Sequence, residues 1–365
     1  MSYRRRFLSS VSSAGLLSSL LAIAVGLVAG FIVLLASNPS QAAVGFATIL
    51  KGGLADRKSM GQVLYTATPI LMTGLSVSFA SRTGLFNIGA SGQFLAGAYC
   101  AILVGVKCTF LPGPLHCACA LLAAVAAGAA WGGICGALKA YRNVNEVIAC
   151  IMMNYIGLYL VNYLIANTVY NVRTNQSMRV AASANLPKMG FDLVFRDGNN
   201  VSSANGGIVV AIAFAIALYV VLEKTRFGFE LKACGFNREA ARYAGIDEKR
   251  SILLSMAIAG AMAGLGGALL YLAGSGNSID VKDILAPEGF SGIPVALLAS
   301  NNPIGVIFSS LFIAYLQGGG FAVQLYDFAP EVIEIIVAII IYFSAFALVL
   351  RGLIQAARKG GGGVA

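Results

Sequence analysis

The sequence has 365 residues, of which 58% are hydrophobic and only 11% are charged. A soluble domain carries about 25% charged residues, and a mean hydropathy of +0.81 leaves no room for a polar shell, so a soluble globular protein is excluded. The net charge of +10 does not indicate nucleic-acid binding, because the basic residues lie between apolar runs, where membrane topology places them.

The first apolar run covers residues 11–36 and follows Arg4-Arg5-Arg6. It is too long for the apolar region of a signal peptide and has no clear small-residue cleavage site, so we interpret it as a retained first span. Further apolar runs follow along the chain, each a candidate for crossing a bilayer. They cover residues 63–80, 85–106, 115–138, 147–166, 206–222, 251–273, 289–299, 304–316 and 332–350.

The polar segments between the runs predict the sidedness of the chain. Residues 167–205 are rich in Asn, Ser and Asp and predict an extracytoplasmic loop, whereas residues 224–250 are dense in charge and predict a cytoplasmic loop. A cytoplasmic N-terminus puts most of the Lys and Arg residues before residue 251 on the inside, as the positive-inside rule requires.

The number of spans depends on a broken region near the end of the chain. The run at 289–299 is too short to cross alone, and Ser300-Asn301-Asn302-Pro303 separates it from the next run. If the short run is a half-helix that lines protein or water, the chain has about ten spans and a cytoplasmic tail; otherwise it has nine. We therefore predict an all-α, polytopic integral membrane helical bundle, with residues 1–365 forming a single transmembrane domain.

The seven cysteines predict neither a metal site nor a disulfide framework. Cys117 and Cys119 stand beside His116, the only histidine, but thiols two positions apart diverge on a helix. The sequence supplies no second ligand cluster, and most cysteines lie in apolar runs, where they behave as small hydrophobic residues. We therefore expect no metal and no cofactor.

The loop at residues 224–250 reads KTRFGFELKACGFNREAARYAGIDEKR. Asn237 is a plausible N-cap, residues 238–243 favour a short helix, and Gly245 is a plausible stop. A short helix on the inner face, between glycines, is typical of a docking element, but an ordinary solvated loop explains the same pattern. The residues alone leave both interpretations open.

Four segments carry a resemblance to a known family. They are FELKACGFNREAARYAGI at 229–246, ATPILMTGLSVSFASRTGLFNIGASGQFLAGA at 67–98, NEVIACIMMNYIGLYLVNYLI at 145–165, and GFSGIPVALLASNNPIGVIFSSLFIAYL at 289–316. The chain resembles the permeases of bacterial ABC importers of the branched-chain amino acid and sugar permease superfamily, and it is most similar to those of purine nucleoside importers. Branched-chain amino acids or sugars remain the alternative cargo.

The resemblance implies that the short inner helix is a coupling helix that docks on a separate ABC ATPase. It also implies a second homologous permease, an extracytoplasmic substrate-binding lipoprotein, and a multi-pass location in the bacterial cytoplasmic membrane. From the residues themselves, Ala240 and Ala241 permit close packing, while Arg238 and Arg242 can pair with acidic groups. The positions that match the family pattern are Gly235, Asn237, Glu239, Ala240, Ala241 and Gly245.

Polar residues inside the apolar runs are the candidates for the substrate passage. Asn87 and Gln93 interrupt the run at 85–106, and Asn154, Tyr155 and Asn162 occupy the run at 147–166. Amides and aromatic rings together can bind a nucleoside, because the rings stack on the base and the amides meet base edges and ribose hydroxyls. The alternative is a packing seam in which the amides join neighbouring helices.

Missing motifs restrict the mechanism. The sequence has no phosphate-binding loop for ATP hydrolysis and no catalytic cluster of a membrane enzyme, so we expect a transporter whose energy source is a separate subunit. An ion-coupled secondary transporter would use buried carboxylates, which the middles of the runs lack. Glu288, Glu331 and Glu334 stand at the starts of late apolar runs, where a structural role against the helix dipole is expected.

Overall fold

The computed structural model describes residues 24–198, 200–274, 276 and 278–345. The chain divides into two compact units, one built from residues 54–314 and the other from the segments up to residue 53 and from residue 315 onwards. The start of the first predicted span and the basic tail after residue 345 lie outside the described residues.

Helices form most of the described chain. Two short antiparallel hairpins pair Tyr170–Asn171 with Gln176–Ser177 and Arg196–Asp197 with Asn200–Val201. The all-α prediction is therefore confirmed. The helices are α1 (Ala24–Ser37), α2 (Ala42–Gly52), α3 (Arg57–Arg82), α4 (Ala90–Lys107), α5 (Gly113–Arg142), α6 (Glu146–Thr168), α7 (Phe191–Val194), α8 (Gly207–Lys224), α9 (Arg226–Phe236), α10 (Arg238–Tyr243), α11 (Glu248–Tyr271), α12 (Pro287–Leu298), α13 (Pro303–Val323) and α14 (Pro330–Ala345).

Seven of the described helices are long and apolar enough to cross a membrane: α3, α4, α5, α6, α8, α11 and α13 with the turn that follows it. Helix α12 has only 12 residues, about 18 Å at 1.5 Å per residue, so it cannot cross about 30 Å of hydrocarbon alone. The chain is thus a helical membrane bundle with a half-length helix in the region where the sequence is broken.

Side chains fix several helix starts. Asp56 accepts a hydrogen bond from the backbone N–H of Ser59 at 2.6 Å and begins α3. Asn145 accepts one from Val147 at 2.9 Å and begins α6, and Asp247 accepts one from Arg250 at 3.1 Å and begins α11. These caps satisfy N–H groups that have no partner inside the helix.

The larger unit has two distinct ends. At one end Arg82 of α3 pairs with Glu223 of α8, and Lys139 of α5 pairs with Glu146 of α6 at 2.9 Å. Helices α9 and α10 lie there, and we call it the α10 end. The opposite end, which we call the loop end, carries the hairpins and the segment after α11, where the N–H of Leu186 binds the carbonyl of Leu272 at 2.8 Å.

Close contact between α5 and α11 holds the centre of the larger unit together. A Cβ atom on Gly128 would collide with the carbonyl oxygen of Gly260, and one on Gly132 would collide with that of Met256. Small residues let membrane helices approach closely enough for dispersion contacts and polar backbone contacts to accumulate. The GxxxG repeat of α5 is therefore a packing surface.

The smaller unit is packed in the same way. Gly45 lies against the ring of Phe328, Gly52 against the backbone of Gly319, and the rings of Phe31 and Phe46 lie 5.1 Å apart. The hydroxyl of Tyr315 donates to the carbonyl of Leu50. These contacts tie α1, α2, the end of α13 and the turn before α14 into one block.

Candidate functional site

A cluster of buried amides lies between α3, α4 and α6. Asn87 donates to the Oε1 atom of Gln93 at 2.7 Å and to the hydroxyl of Ser76 at 2.9 Å, and Gln93 donates back to the Oδ1 atom of Asn87 at 3.0 Å. All three side chains are fully buried. A buried amide is costly without partners, and here each amide supplies the partner of the other.

Asn154 of α6 adds to this cluster by binding the backbone at the start of α4. Its Oδ1 atom accepts a hydrogen bond from the backbone N–H of Gly92 at 2.8 Å, and its Nδ2 atom donates to the carbonyl of Ile88 at 3.1 Å. The contacts support the interpretation of Asn87, Gln93 and Asn154 as joints between helices. Their hydrogen-bonding groups are occupied in this structure. Their assignment to the passage stays a prediction.

Three tyrosines form an exposed face on α6. Tyr155, Tyr159 and Tyr163 are 49%, 56% and 66% exposed and recur at the four-residue spacing of one helical face. In the described part of the chain none of their hydroxyls makes a hydrogen bond or ion pair. Tyrosine is enriched at membrane–water interfaces, but Tyr155 and Tyr159 lie in the middle of a spanning helix. Hydroxyls at that position need a polar environment other than lipid.

Asn162 lies on the same face and connects α6 to the segment that precedes α12. Its Nδ2 atom donates to the carbonyl of Lys282 at 3.0 Å. Asp280 in that segment accepts from the amide of Gln176 at 2.6 Å and pairs with Lys282 at 2.7 Å. These two partners lower the pKa of Asp280, so the carboxylate stays charged and the segment stays tied to the hairpin at neutral pH.

Helix α12 begins inside the bundle rather than at its surface. The hydroxyl of Thr73, in the middle third of α3, donates to the carbonyl of Glu288 at 2.9 Å, and Ser91 donates to the carbonyl of Ala286 at 3.0 Å. Gly289 packs on the backbone of Ser91. The chain thus re-enters the bundle before α12 starts, so Glu288, which stands at the start of its apolar run, lies level with the middle third of α3.

The charged segment at the α10 end forms two consecutive helices, α9 and α10. Asn237 accepts a hydrogen bond from the N–H of Ala240 at 3.1 Å, and Gly245 has a φ of +81°, so the predicted N-cap and stop are confirmed. Ala241 is buried against the unit, whereas Glu239, Ala240 and Arg242 are exposed and Arg238 is partly exposed. The small helix thus presents one polar face outwards.

Two aromatic residues at this end were missed by the sequence analysis. Phe236 and Tyr243 are 90% and 92% exposed and flank α10 at its start and end. A groove of about 750 Å³ lies at this end and is lined by Phe229, Phe236 and Ala240 among others. Large aromatic side chains that project fully from a charged surface are typical anchors of protein interfaces, and this signal was present in the sequence.

The helices α9 and α10 are fastened to the rest of the unit at two places. Glu223 at the end of α8 pairs with Arg82 of α3 and with Lys232 of α9, the latter at 3.1 Å. Gly84, with a φ of +75°, lies directly against the backbone of Gly235. Helix α9, which precedes α10, is therefore in direct contact with the end of α3 and the loop that follows it.

The surroundings of His116 are those of a structural residue. Its ring nitrogens lie 2.9 Å from the hydroxyl of Ser183 and 2.9 Å from the carbonyl of Val104, which leaves neither nitrogen for a ligand. Within the described ranges, no three His, Cys, Asp or Glu side chains gather in a way that could hold a metal ion.

Residues 59–345 match the family described as the permease component of branched-chain amino acid transport systems. The chain belongs to this permease family. The permease is 38% identical over 349 residues to the guanosine ABC transporter permease of Bacillus subtilis, covering 95% of this chain and 97% of that protein. It is 33% identical to the nucleoside ABC transporter permease of Lactococcus lactis, covering 93% of each chain.

A further relative has a different cargo in its name. The glucose ABC transporter permease of Haloferax volcanii is 36% identical over 334 residues, covering 90% of this permease and 85% of that protein. No solved structure matches the chain significantly. The resemblance drawn from the four sequence segments is confirmed, and so is the prediction of a transport permease rather than an enzyme.

Proposed function

We propose that this permease moves nucleosides, most specifically purine nucleosides, across the bacterial cytoplasmic membrane as a subunit of an ABC importer. The observation that carries the proposal is the exposed tyrosine face of α6, with Tyr155, Tyr159 and Tyr163. Two relatives that align over nearly the whole chain are named for guanosine and for nucleosides, which supports this choice of cargo over others.

The tyrosine face suits a nucleoside for a physical reason. A base is planar and stacks on aromatic rings, while the ribose carries hydroxyls that can bond to phenol groups. The rings of this face carry no fixed charge, which agrees with a neutral cargo. The Nδ2 atom of Asn162 donates to the carbonyl of Lys282. The Oδ1 atom of Asn162 accepts no hydrogen bond within the described residues.

The proposed topology has ten spans and a cytoplasmic N-terminus. It adds α1, the half-length α12 and α14 to the seven long apolar helices. The α10 end then faces the cytoplasm and the loop end faces outwards. The charge of residues 224–250 supports this orientation, because this loop contains seven Lys and Arg residues, and basic loops stay on the inside.

The proposed partners follow from the two ends. At the α10 end, α10 with the residues Gly235, Asn237 and Gly245 around it docks on a separate ABC ATPase. At the loop end, a substrate-binding lipoprotein delivers the nucleoside, and a second permease completes the passage against α6. ATP binding and hydrolysis then shift the equilibrium between outward-open and inward-open states.

The test is uptake of labelled guanosine, adenosine, uridine, glucose and leucine by cells with and without this chain. We expect deletion to abolish uptake of at least one purine nucleoside and to leave glucose and leucine unchanged. The process should be sensitive to vanadate and not to a protonophore. Complementation with Tyr159→Ala should restore less than about a tenth of the rate, because the ring and hydroxyl are lost from the passage.

A control keeps this result specific. Leu122→Ala removes an exposed side chain of α5 and should restore full uptake. Unchanged uptake of all three nucleosides after deletion would reject the cargo assignment, and full activity of Tyr159→Ala would reject the tyrosine face as the passage.

A further inference from the structure

Glu288 carries a carboxylate at the start of α12, where the backbone lies inside the helical bundle. Its backbone carbonyl is held by Thr73 at 2.9 Å, in the middle third of α3, and the following Gly289 packs on Ser91 at the start of α4. The side chain is partly buried. A carboxylate in this part of a membrane protein is costly, and such groups are retained where they bind an ion, a partner residue or a cargo.

No described residue is a side-chain partner of this carboxylate. Among the described residues, the side chain of Glu288 forms no ion pair and no hydrogen bond with another residue, and every ion pair found there involves other groups. Tyr271 lies within electrostatic range of Glu288, and its hydroxyl also forms no hydrogen bond in the described chain. Within the described chain, an acceptor and a hydroxyl thus lie within electrostatic range of each other, and neither has a hydrogen-bond partner in another residue.

The helix dipole does not explain the position of Glu288. The chain repeats the pair Pro-Glu at the start of α14, where Glu331 takes the same place relative to its helix and is exposed. Both carboxylates gain the favourable interaction with a helix N-terminus. Glu288 is partly buried whereas Glu331 is exposed, so a helix start does not require the burial of its carboxylate.

We propose that Glu288 is a specificity-determining residue of the passage and accepts hydrogen bonds from the base of the cargo. This inference rests on the proposed nucleoside function. A carboxylate offers two acceptor oxygens and no donor, which matches a guanine base that presents its ring N–H and its exocyclic amine side by side. Adenine presents an acceptor nitrogen at the corresponding ring position, and a carboxylate repels it.

The substitution Glu288→Gln converts this acceptor pair into one acceptor and one donor. A Gln amide can bind adenine at two points, which a carboxylate cannot do. We therefore expect the ratio of guanosine uptake to adenosine uptake to fall at least about tenfold in cells that produce Glu288→Gln. The binding protein is the same in all strains, so a change in the ratio reports on the permease.

Glu331→Gln is the matched control, because it removes a helix-start carboxylate that is exposed. It should leave the ratio at the wild-type value, with both variants present in the membrane in equal amounts. An unchanged ratio in Glu288→Gln, whether both rates persist or both fall together, would overturn the proposal. Absence of uptake of either nucleoside in wild-type cells would instead reject the proposed function itself.

Discussion

At the scale of single residues, Asn154 acts as a helix cap supplied by another helix. The N-cap position of α4 is Gly89, which has no side chain to bind the free N–H groups of the first turn. Asn154 reaches over from α6 and accepts the N–H of Gly92, and it also satisfies the carbonyl of Ile88. One amide thereby both stabilises the start of α4 and fixes its distance from α6.

Removing this amide should destabilise the permease. Asn154→Leu leaves two buried backbone groups unpaired, and each costs about 1–3 kcal/mol. We expect a lower midpoint of thermal unfolding for the purified protein in detergent, measured by tryptophan fluorescence, since Trp131 donates to the carbonyl of Met153 next to this site. Asn167→Leu, on the same helix but exposed, is the control and should unfold at the wild-type temperature. Equal midpoints for all three proteins would contradict a capping role.

At the scale of elements, α5 and α11 pack closely against each other. This close contact depends on glycine at particular positions. A Cβ on Gly132 would collide with the carbonyl oxygen of Met256, so the two helices would have to separate. At Gly133 the nearest atom to such a Cβ is the Cβ of Ala257 at 3.9 Å, an ordinary contact. The close packing of the two helices therefore requires glycine at position 132 but not at position 133.

This difference gives a prediction with an internal control. Gly132→Ala should lower the unfolding midpoint and reduce the amount of protein in the membrane, because overpacking costs about 1–3 kcal/mol. Gly133→Ala should leave both unchanged or raise the midpoint slightly, since alanine is the better helix former. Membrane immunoblots and thermal unfolding measure the two effects. Indistinguishable variants would mean that α5 and α11 do not pack as closely as the structure shows.

At the scale of the whole molecule, the α10 end and the loop end present different surfaces. The α10 end carries the exposed rings of Phe236 and Tyr243 and a groove of about 750 Å³ that Phe236 lines. Glu223 of α8 pairs there with Arg82 of α3 and Lys232 of α9. The loop end is built from hairpins that are tied to the segment before α12. These different surfaces fit the proposal of partners on opposite sides of the membrane.

The proposed docking surface at the α10 end predicts that loss of its exposed aromatic rings prevents binding of the ATPase. Phe236→Ala with Tyr243→Ala should abolish co-purification of the ATPase and uptake, because buried aromatic anchors contribute about 2 kcal/mol or more each to an interface. The amount of permease in the membrane should not change, since both rings are exposed in the isolated chain. Phe110→Ala, an exposed ring between α4 and α5 away from the α10 end, is the control. Normal ATPase binding by the double variant would place the docking surface elsewhere.

The sequence by itself determined the membrane class, the all-α architecture, the family and the limits of α10. These properties are local: hydropathy is a property of a run, and an N-cap such as Asn237 or a left-handed stop such as Gly245 acts within a few residues. The same locality explains why the run before Asn301 and Asn302 was already recognised as too short to cross a bilayer alone, and α12 has 12 residues.

Only the tertiary structure decided which polar residues are consumed by the fold and which remain free. Asn87, Gln93 and Asn154 look alike in sequence to Tyr155 and Asn162. Asn87 and Gln93 nevertheless satisfy each other and Asn154 binds the backbone at the start of α4, whereas Tyr155 stays exposed. The position of Glu288 depends on Thr73, 215 residues away along the chain. The partner of a side chain is set by helices that are distant in sequence, and no local pattern records which helices those are.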